Sequence, residues 1–236
     1  LVALNRKELN LINLDEIDTI LTSKSPSLII HLAAYTNVDK AENDCEKAMT
    51  INYFATKVIA DYCYKAAIPI IFFSSDYVFD GLKTTKYNED DPSNPLNIYG
   101  QSKALAESYI VGRLKHYVIL RTSGVYDEKS KNFFSTISKT LIDNRRVTVV
   151  ADQFGSPTSS YFLAGIVKSI VSKISNKSFK WGIYHLTNKG SISWYEFARL
   201  ISFRLTDAGI LSKINEKYII PIKSENYISS TPRPLN

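Results

Sequence analysis

Apolar residues along this chain come in short unbroken runs separated by stretches of helical period. "LVAL" (1–4), "SLIIHLA" (27–33), "IPIIFFSS" (68–75), "YVILRT" (117–122) and "RVTVVA" (146–151) are too continuous for half-exposed strands and predict buried ones. Between them, residues 14–24, 45–66, 98–114 and 131–144 carry helical pattern. Asn43 and Asp44 stand where the second helix needs a cap, and Pro69 opens the strand that follows it. Such alternation predicts an α/β fold with a doubly wound parallel sheet. From residue 152 the rhythm loosens. A helix near 160–175, a strand over 182–187, a helix near 193–206 and a terminal strand "KYIIPI" predict a smaller C-terminal lobe, with "DQFGSPT" (152–158) as the hinge. The expected organisation is one domain over 1–151 and a smaller lobe over 152–236, with some exchange of chain between them.

In open α/β sheets ligands bind beyond the carboxyl ends of the strands. That rule brings residues 33–36, 74–77 and 122–125 around one crevice. The helix over 98–114 adds Tyr99 and Lys103, which at i and i+4 share a face. A free tyrosine has a pKa of about 10, too high for proton transfer at neutral pH, and lowering it three units takes roughly 4 kcal/mol. An ammonium at about 4 Å in an effective dielectric near 20 supplies roughly that much. Ser75, ending an apolar strand, completes a cluster suited to delivering a proton to a carbonyl oxygen. The matching hydride comes from a reduced nicotinamide, because no side chain donates one.

Composition narrows the classes. The chain has 236 residues, 44% hydrophobic and 22% charged, ordinary for a globular protein. Its net charge is +6, but the lysines are scattered, which argues against a nucleic-acid platform and leaves room for an anionic small molecule. No apolar run approaches the roughly 18 residues of a membrane span. Cys45 and Cys63 lack metal-ligand spacing and read as buried free thiols in a reducing, cytoplasmic setting. His31, His116 and His185 share no spacing and read as core or edge residues. Trp194 and Tyr195 read as packing, and Arg121 as the partner of a carboxylate.

Six stretches carry a resemblance: "HLAAYTNVDKAE" (31–42), "FFSSDYVFDG" (72–81), "NPLNIYGQSKALAE" (94–107), "LRTSGVY" (120–126), "DQFGSPT" (152–158) and "SWYEFA" (193–198). In this order they resemble the extended short-chain dehydrogenase/reductase superfamily, and within it the branch that reduces dTDP-4-dehydrorhamnose. The resemblance implies a Rossmann-like NAD(P)-binding domain, a dTDP-sugar substrate reduced at its C4 ketone, and NADPH or NADH as cofactor. It implies Tyr99 as proton donor and Lys103 as ligand of the nicotinamide ribose that also lowers the Tyr99 pKa. Ser75 would tune the transfer and, with Asp76, touch the sugar. Ala33, Ala34, Tyr35 and Thr36 would line the cofactor, with Asn10 and Leu11 near the adenine. Tyr77, Gly124 and Arg233 are expected on the substrate side, Arg233 at a diphosphate.

Departures from that pattern set further expectations. No glycine precedes Gly81, so the first strand and glycine-rich phosphate loop are expected to lie outside this chain, and both ends read as cut. Gly124 stands where the resemblance places a tryptophan against the sugar, so space is expected there and another keto-sugar stays open. Tyr161 stands where a glutamate would bridge a metal, so no metal is expected. Asn5, Arg6 and Lys7 follow "LVAL" where a carboxylate would prefer NADH, which favours NADPH. The helices over 45–66 and 98–114 admit a homodimer. From another class, a regulatory subunit resembling that of methionine adenosyltransferase has similar stretches; turnover of reduced cofactor separates the two.

Overall fold

The computed structural model describes residues 1–212, 216–227 and 231–235, and the chain divides into two compact units. The first holds residues 1–121, 180–185 and the described part of 229–234. Helix α1 (Leu14–Lys24) presents Ile17 and Leu21 to the core, has Asp15 and Glu16 in its first turn, and ends in a left-handed Ser25. Strand β1 (Ile29–His31) follows. Next come α2 (Val38–Asn43), α3 (Cys45–Met49), a π-helical turn (Thr50–Phe54) and α4 (Ala55–Ala66), the last three in one run. Strand β2 (Ile70–Ser75) leads into a 3₁₀ turn (Asp76–Val78), and α5 (Ile98–Arg113) precedes β3 (Tyr117–Thr122).

The second unit contains β4 (Val125–Tyr126), α6 (Phe133–Ile142), β5 (Val147–Val150), β6 (Phe154–Gly155), β7 (Thr158–Ser159) and α7 (Ser160–Ser175). The chain returns to the first unit for β8 (Gly182–His185), then supplies β9 (Ile192–Ser193), α8 (Trp194–Asp207) and β10 (Ile219–Ile222) to the second. Helix α8 starts on a capping box in which Ser193 and Glu196 each satisfy the other's backbone N–H.

The main sheet has the order β1-β2-β3-β8. β1 runs parallel to β2, with Ile30 opposite Ile71, and β3 parallel to β8, with Ile119 opposite Ile183. The Ile70 N–H donates to the His116 carbonyl, so β2 and β3 start together and share a direction. The β1–β2 and β2–β3 crossovers are helical, and β3 reaches β8 only after the chain has passed through the second unit. The core of this unit joins Ile70, Phe72 and Ile119 of the sheet to Ile17 and Leu21 of α1, Ile59 and Cys63 of α4, and Ile110 of α5. A second core, in the other unit, gathers Leu141, Val149, Phe197, Ile201 and Ile219.

Several expectations are corrected. Residues 1–4 form no strand, and Leu1 and Val2 are exposed; an apolar run becomes a strand only with a neighbour for its ladder, and none of the described strands pairs there. The strand expected at 146–151 stays out of the main sheet and pairs in parallel with β10. The strand expected in the C-terminal lobe, 182–187, instead forms the β8 edge of the main sheet. The units therefore do not follow a single cut at 151/152; residues 122–151 group with the second and 180–185 with the first. Asn43 ends α2 rather than capping a helix, while Asn37 caps α2 through Lys40 N–H. Cys45 is exposed, and only Cys63 is buried.

Candidate active site

Helix α5 brings the chemistry to the carboxyl end of β2. Its N-cap, Asn97, is buried; its Oδ1 accepts the Gly100 N–H at 2.8 Å while its Nδ2 donates to the Pro232 carbonyl at 2.9 Å. Gly100 is required by a close approach, because a Cβ there would lie 2.1 Å from the Tyr77 carbonyl oxygen. The helix can therefore seat Tyr99 directly against the turn that follows β2.

There the Tyr99 phenol and the Ser75 hydroxyl are hydrogen-bonded. Ser75 Oγ also donates to Asp76 Oδ1 at 2.8 Å and accepts the Tyr77 N–H at 3.2 Å. The Tyr77 ring meets Tyr99 edge-on at 5.5 Å. Burial pushes the Tyr99 phenol up to about 12; the Ser75 hydrogen bond opposes this, while the Asp76 carboxylate and Tyr77 add to it. Tyr77 is likewise pushed up to about 12, chiefly by burial. Both phenols are protonated at neutral pH. Lys103 is not among the groups that shift Tyr99 in this structure. Tyr99 responds to burial and Asp76, and the Lys103 ammonium lies instead 4.0 Å from the centroid of the Phe72 ring.

Lys103 is 2% exposed, and burial lowers it to about 7 against a supporting pull from Glu107. Glu107 itself is taken by Arg121, whose Nη2 lies 2.7 Å from Oε2 in a pair buried on both sides, as expected for Arg121. Arg233 donates to both Asp39 oxygens at 2.8 Å and hydrogen-bonds Tyr77. Ser75, Asp76, Tyr77, Tyr99 and Arg233 thus form one connected group.

Beyond β1, Ala33 and Thr36 are exposed and Ala34 and Tyr35 half-buried. Leu11 packs into the core, and Asn10 accepts the Ile12 N–H at 3.3 Å; neither shares the hydrogen bonds of the Tyr99 group. In the turn over residues 5–8, Glu8 supplies a carboxylate that accepts the Asn5 N–H at 2.8 Å.

One residue that escaped the sequence reading ties these parts together. Asn52, in the π-helical turn, accepts the Tyr35 N–H at 2.7 Å and donates to the Tyr35 carbonyl at 3.1 Å and to Ser102 Oγ at 2.9 Å. Ser102 in turn donates to the Tyr99 carbonyl at 2.7 Å. The loop after β1 and the helix carrying Tyr99 are held through this one side chain. Its signal was a polar residue on a buried stripe of Ala48, Ala55, Ile59 and Cys63.

The residues present fit a nicotinamide ribose. The buried Ser74 Oγ has no partner among the described residues, and the Lys103 ammonium lies against the Phe72 ring, so both can offer donors to hydroxyl groups at this end of the sheet. An open depression lined by Asp18, Thr22, Tyr62 and Lys65 lies at the opposite ends of β1 and β2.

In the second unit, Gly124 is left-handed (φ +52°), and a Cβ there would lie 3.0 Å from the Trp194 ring. The expected space is already filled: Trp194 covers Gly124 and packs on Phe133 and Phe197. Gly124→Ala is expected to cost about 1–2 kcal/mol from the backbone conformation and the crowded ring, seen as a Tm lowered by a few degrees. An unchanged melt would show that Trp194 gives way freely. Tyr161 donates to Glu128 Oε1 at 3.1 Å. No group of three His, Cys, Asp or Glu placed to hold a metal occurs among the described residues.

A parallel sheet with a Tyr-x-x-x-Lys helix at its carboxyl end defines a Rossmann-like, NAD(P)H-dependent reductase. A family model described as the RmlD substrate binding domain matches residues 1–236. The dTDP-4-dehydrorhamnose reductase of Aggregatibacter actinomycetemcomitans is 36% identical over 239 residues, covering 100% of this chain and 80% of that protein. The spore coat polysaccharide biosynthesis protein SpsK of Bacillus subtilis is 35% identical, covering 99% and 77%. The crystal structure of dTDP-4-dehydrorhamnose reductase from Bacillus anthracis in complex with NADP superposes with a TM-score of 0.87 at 32% identity, covering 98% of this chain and 78% of that one. The chain belongs to the RmlD family. None of its described helices is long and apolar enough to cross a membrane.

Proposed function

We propose that this protein reduces the C4 ketone of dTDP-4-dehydro-6-deoxy-L-mannose to dTDP-L-rhamnose, with NADPH as the preferred cofactor. The observation that carries the reading is the protonated Tyr99 phenol held against Ser75 beyond β2. A reductase needs an acid, and a phenol kept neutral by burial is an acid at every physiological pH. Tyr99 delivers its proton to the ketone oxygen, and Ser75 presents a hydroxyl to the same oxygen. Asp76 orients Ser75, and Tyr77 walls the group. The bound cofactor supplies the hydride. Lys103 holds its ribose hydroxyls, residues 33–36 line it, and Asn10 and Leu11 stand toward the adenine. Arg6 and Lys7 favour the 2′-phosphate. Arg233 serves the substrate diphosphate, for which a guanidinium is suited.

Following NADPH absorbance after adding dTDP-4-dehydrorhamnose tests this directly; rapid oxidation is expected. No oxidation with NADPH binding intact would overturn the substrate assignment. The second reading, reduction of another nucleotide-activated keto-sugar, rests on Gly124 standing where the resemblance places a tryptophan, although Trp194 covers that glycine, and would appear as oxidation with that sugar instead. No metal is required in either reading. A reducing, cytoplasmic setting suits the free thiols. A homodimer through the 45–66 and 98–114 helices would use the exposed Phe54, Tyr64, Leu105 and Val111.

A further inference from the structure

Lys103 poses an electrostatic problem that the proposed chemistry does not solve. An ammonium 2% exposed needs counter-charge, and the carboxylate that supports it from a distance, Glu107, spends its hydrogen bonds on Arg121. On its own helix, Glu107 makes three hydrogen bonds to Arg121, and Tyr99 is a neutral phenol. From β1, burial and the Lys103 charge hold His31 down to about 3, so its ring is neutral and bonds to Thr56. The α3–α4 run meets Ser102 of α5 through Asn52 and His31 of β1 through Thr56, both uncharged, while its charged Asp61 and Lys57 engage Tyr109 and Arg113 further along α5. From α2, Glu42 accepts the Ile98 N–H, while Asp39 is bound to Arg233. Asp76 acts on Tyr99 and Tyr77. What does face the ammonium is Phe72 of β2, 0% exposed, with its ring centroid 4.0 Å from Nζ and the His31 ring tilted against it at 5.6 Å.

We propose that Phe72 is a positioning residue of the reductase site, its ring face serving as the contacting counter-group of the Lys103 ammonium where a hydrogen-bonded carboxylate would otherwise stand. The negative face of the ring attracts the cation electrostatically. Unlike a carboxylate, it does not compete as a strong directed acceptor, so the N–H groups turned away from the ring remain available to hydroxyl acceptors. A carboxylate here would compete with those acceptors. The functional consequence rests on the proposed role of Lys103 toward the nicotinamide ribose; the contact itself does not.

The test replaces Phe72 by its 4-fluoro, 3,5-difluoro and pentafluoro analogues, which nearly keep the shape while draining the ring face. The Lys103 ¹³Cε shift is followed against pH in the cofactor-free protein and assigned by its loss in Lys103→Met. Weakening the ring favours the neutral amine, so the midpoint, near 7 in the unmodified protein, is expected to fall stepwise by about one pH unit across the series. NADPH affinity at pH 8 is expected to fall about tenfold with it. Phe72→Leu is expected to act in the same direction, and Phe72→Trp to keep the midpoint. A midpoint constant across the fluorinated series would overturn the proposal. A falling midpoint with unchanged NADPH affinity would support the contact and overturn the cofactor role of Lys103.

Discussion

Tyr99→Phe is expected to lower kcat about 10²–10⁴-fold, the usual contribution of a positioned general acid, and to leave NADPH affinity within about twofold. The ring stays, so its edge contact with Tyr77 stays; what goes is the transferable proton and the hydrogen bond to Ser75. That hydrogen bond is worth about 0.5–1.5 kcal/mol, so the variant still folds. Steady-state NADPH oxidation alongside a binding titration separates the two effects, and a variant turning over normally would exclude Tyr99 as proton donor. The pH profile adds a signed expectation. Tyr99 is held near 12, so it loses its proton far above the working range. Lys103, lowered to about 7, loses its charge as pH rises through that value in the cofactor-free protein. Cofactor affinity is therefore expected to weaken above pH 7 through Lys103, while Tyr99 remains a competent acid.

The largest effect on stability is expected from Glu107→Ala. Arg121 and Glu107 are about 5% and 4% exposed, with a 2.7 Å contact. Removing the carboxylate leaves a buried guanidinium beside the Phe79 ring, 4.9 Å from its centroid, and a 3.3 Å hydrogen bond to the Glu89 carbonyl. Breaking a buried pair in this way costs about 3–5 kcal/mol, whereas replacing both partners by apolar groups is often neutral. Urea unfolding is expected to show a much lower midpoint for Glu107→Ala and substantial recovery in Glu107→Ala with Arg121→Met. A single variant as stable as the parent would mean that the pair contributes specificity rather than stability. Losing Glu107 also removes the charge that supports Lys103, so cofactor binding is expected to weaken even where the fold survives.

The elements set by local chemistry were legible in advance. The expected helices 14–24 and 160–175 coincide with α1 and α7, and the strand expected at 117–122 coincides with β3. In each, apolar spacing and end signals act within a few residues. Ser75 and Tyr99 were legible because both stand beside chain reversals, the end of an apolar strand and the first turn of a helix. Leu11 packs in the core of the first unit, and spacing alone does not distinguish that place from the one beside an adenine, because its apolar side chain suits both.

By itself the amino-acid sequence determined the α/β rhythm, the Ser–Tyr–Lys spacing and the family motifs, all consequences of covalent order and short-range preference. Tertiary structure alone decided which strands pair: β8 joined the main sheet, and β5 found β10, with Val147 opposite Ile219, because ladder partners are chosen by packing across the whole chain. It also decided what each buried charge faces. The Lys103 ammonium rests on Phe72 rather than acting on Tyr99, and Trp194 fills the space that Gly124 leaves. Electrostatic and steric effects depend on distance in space, which the order of residues does not contain.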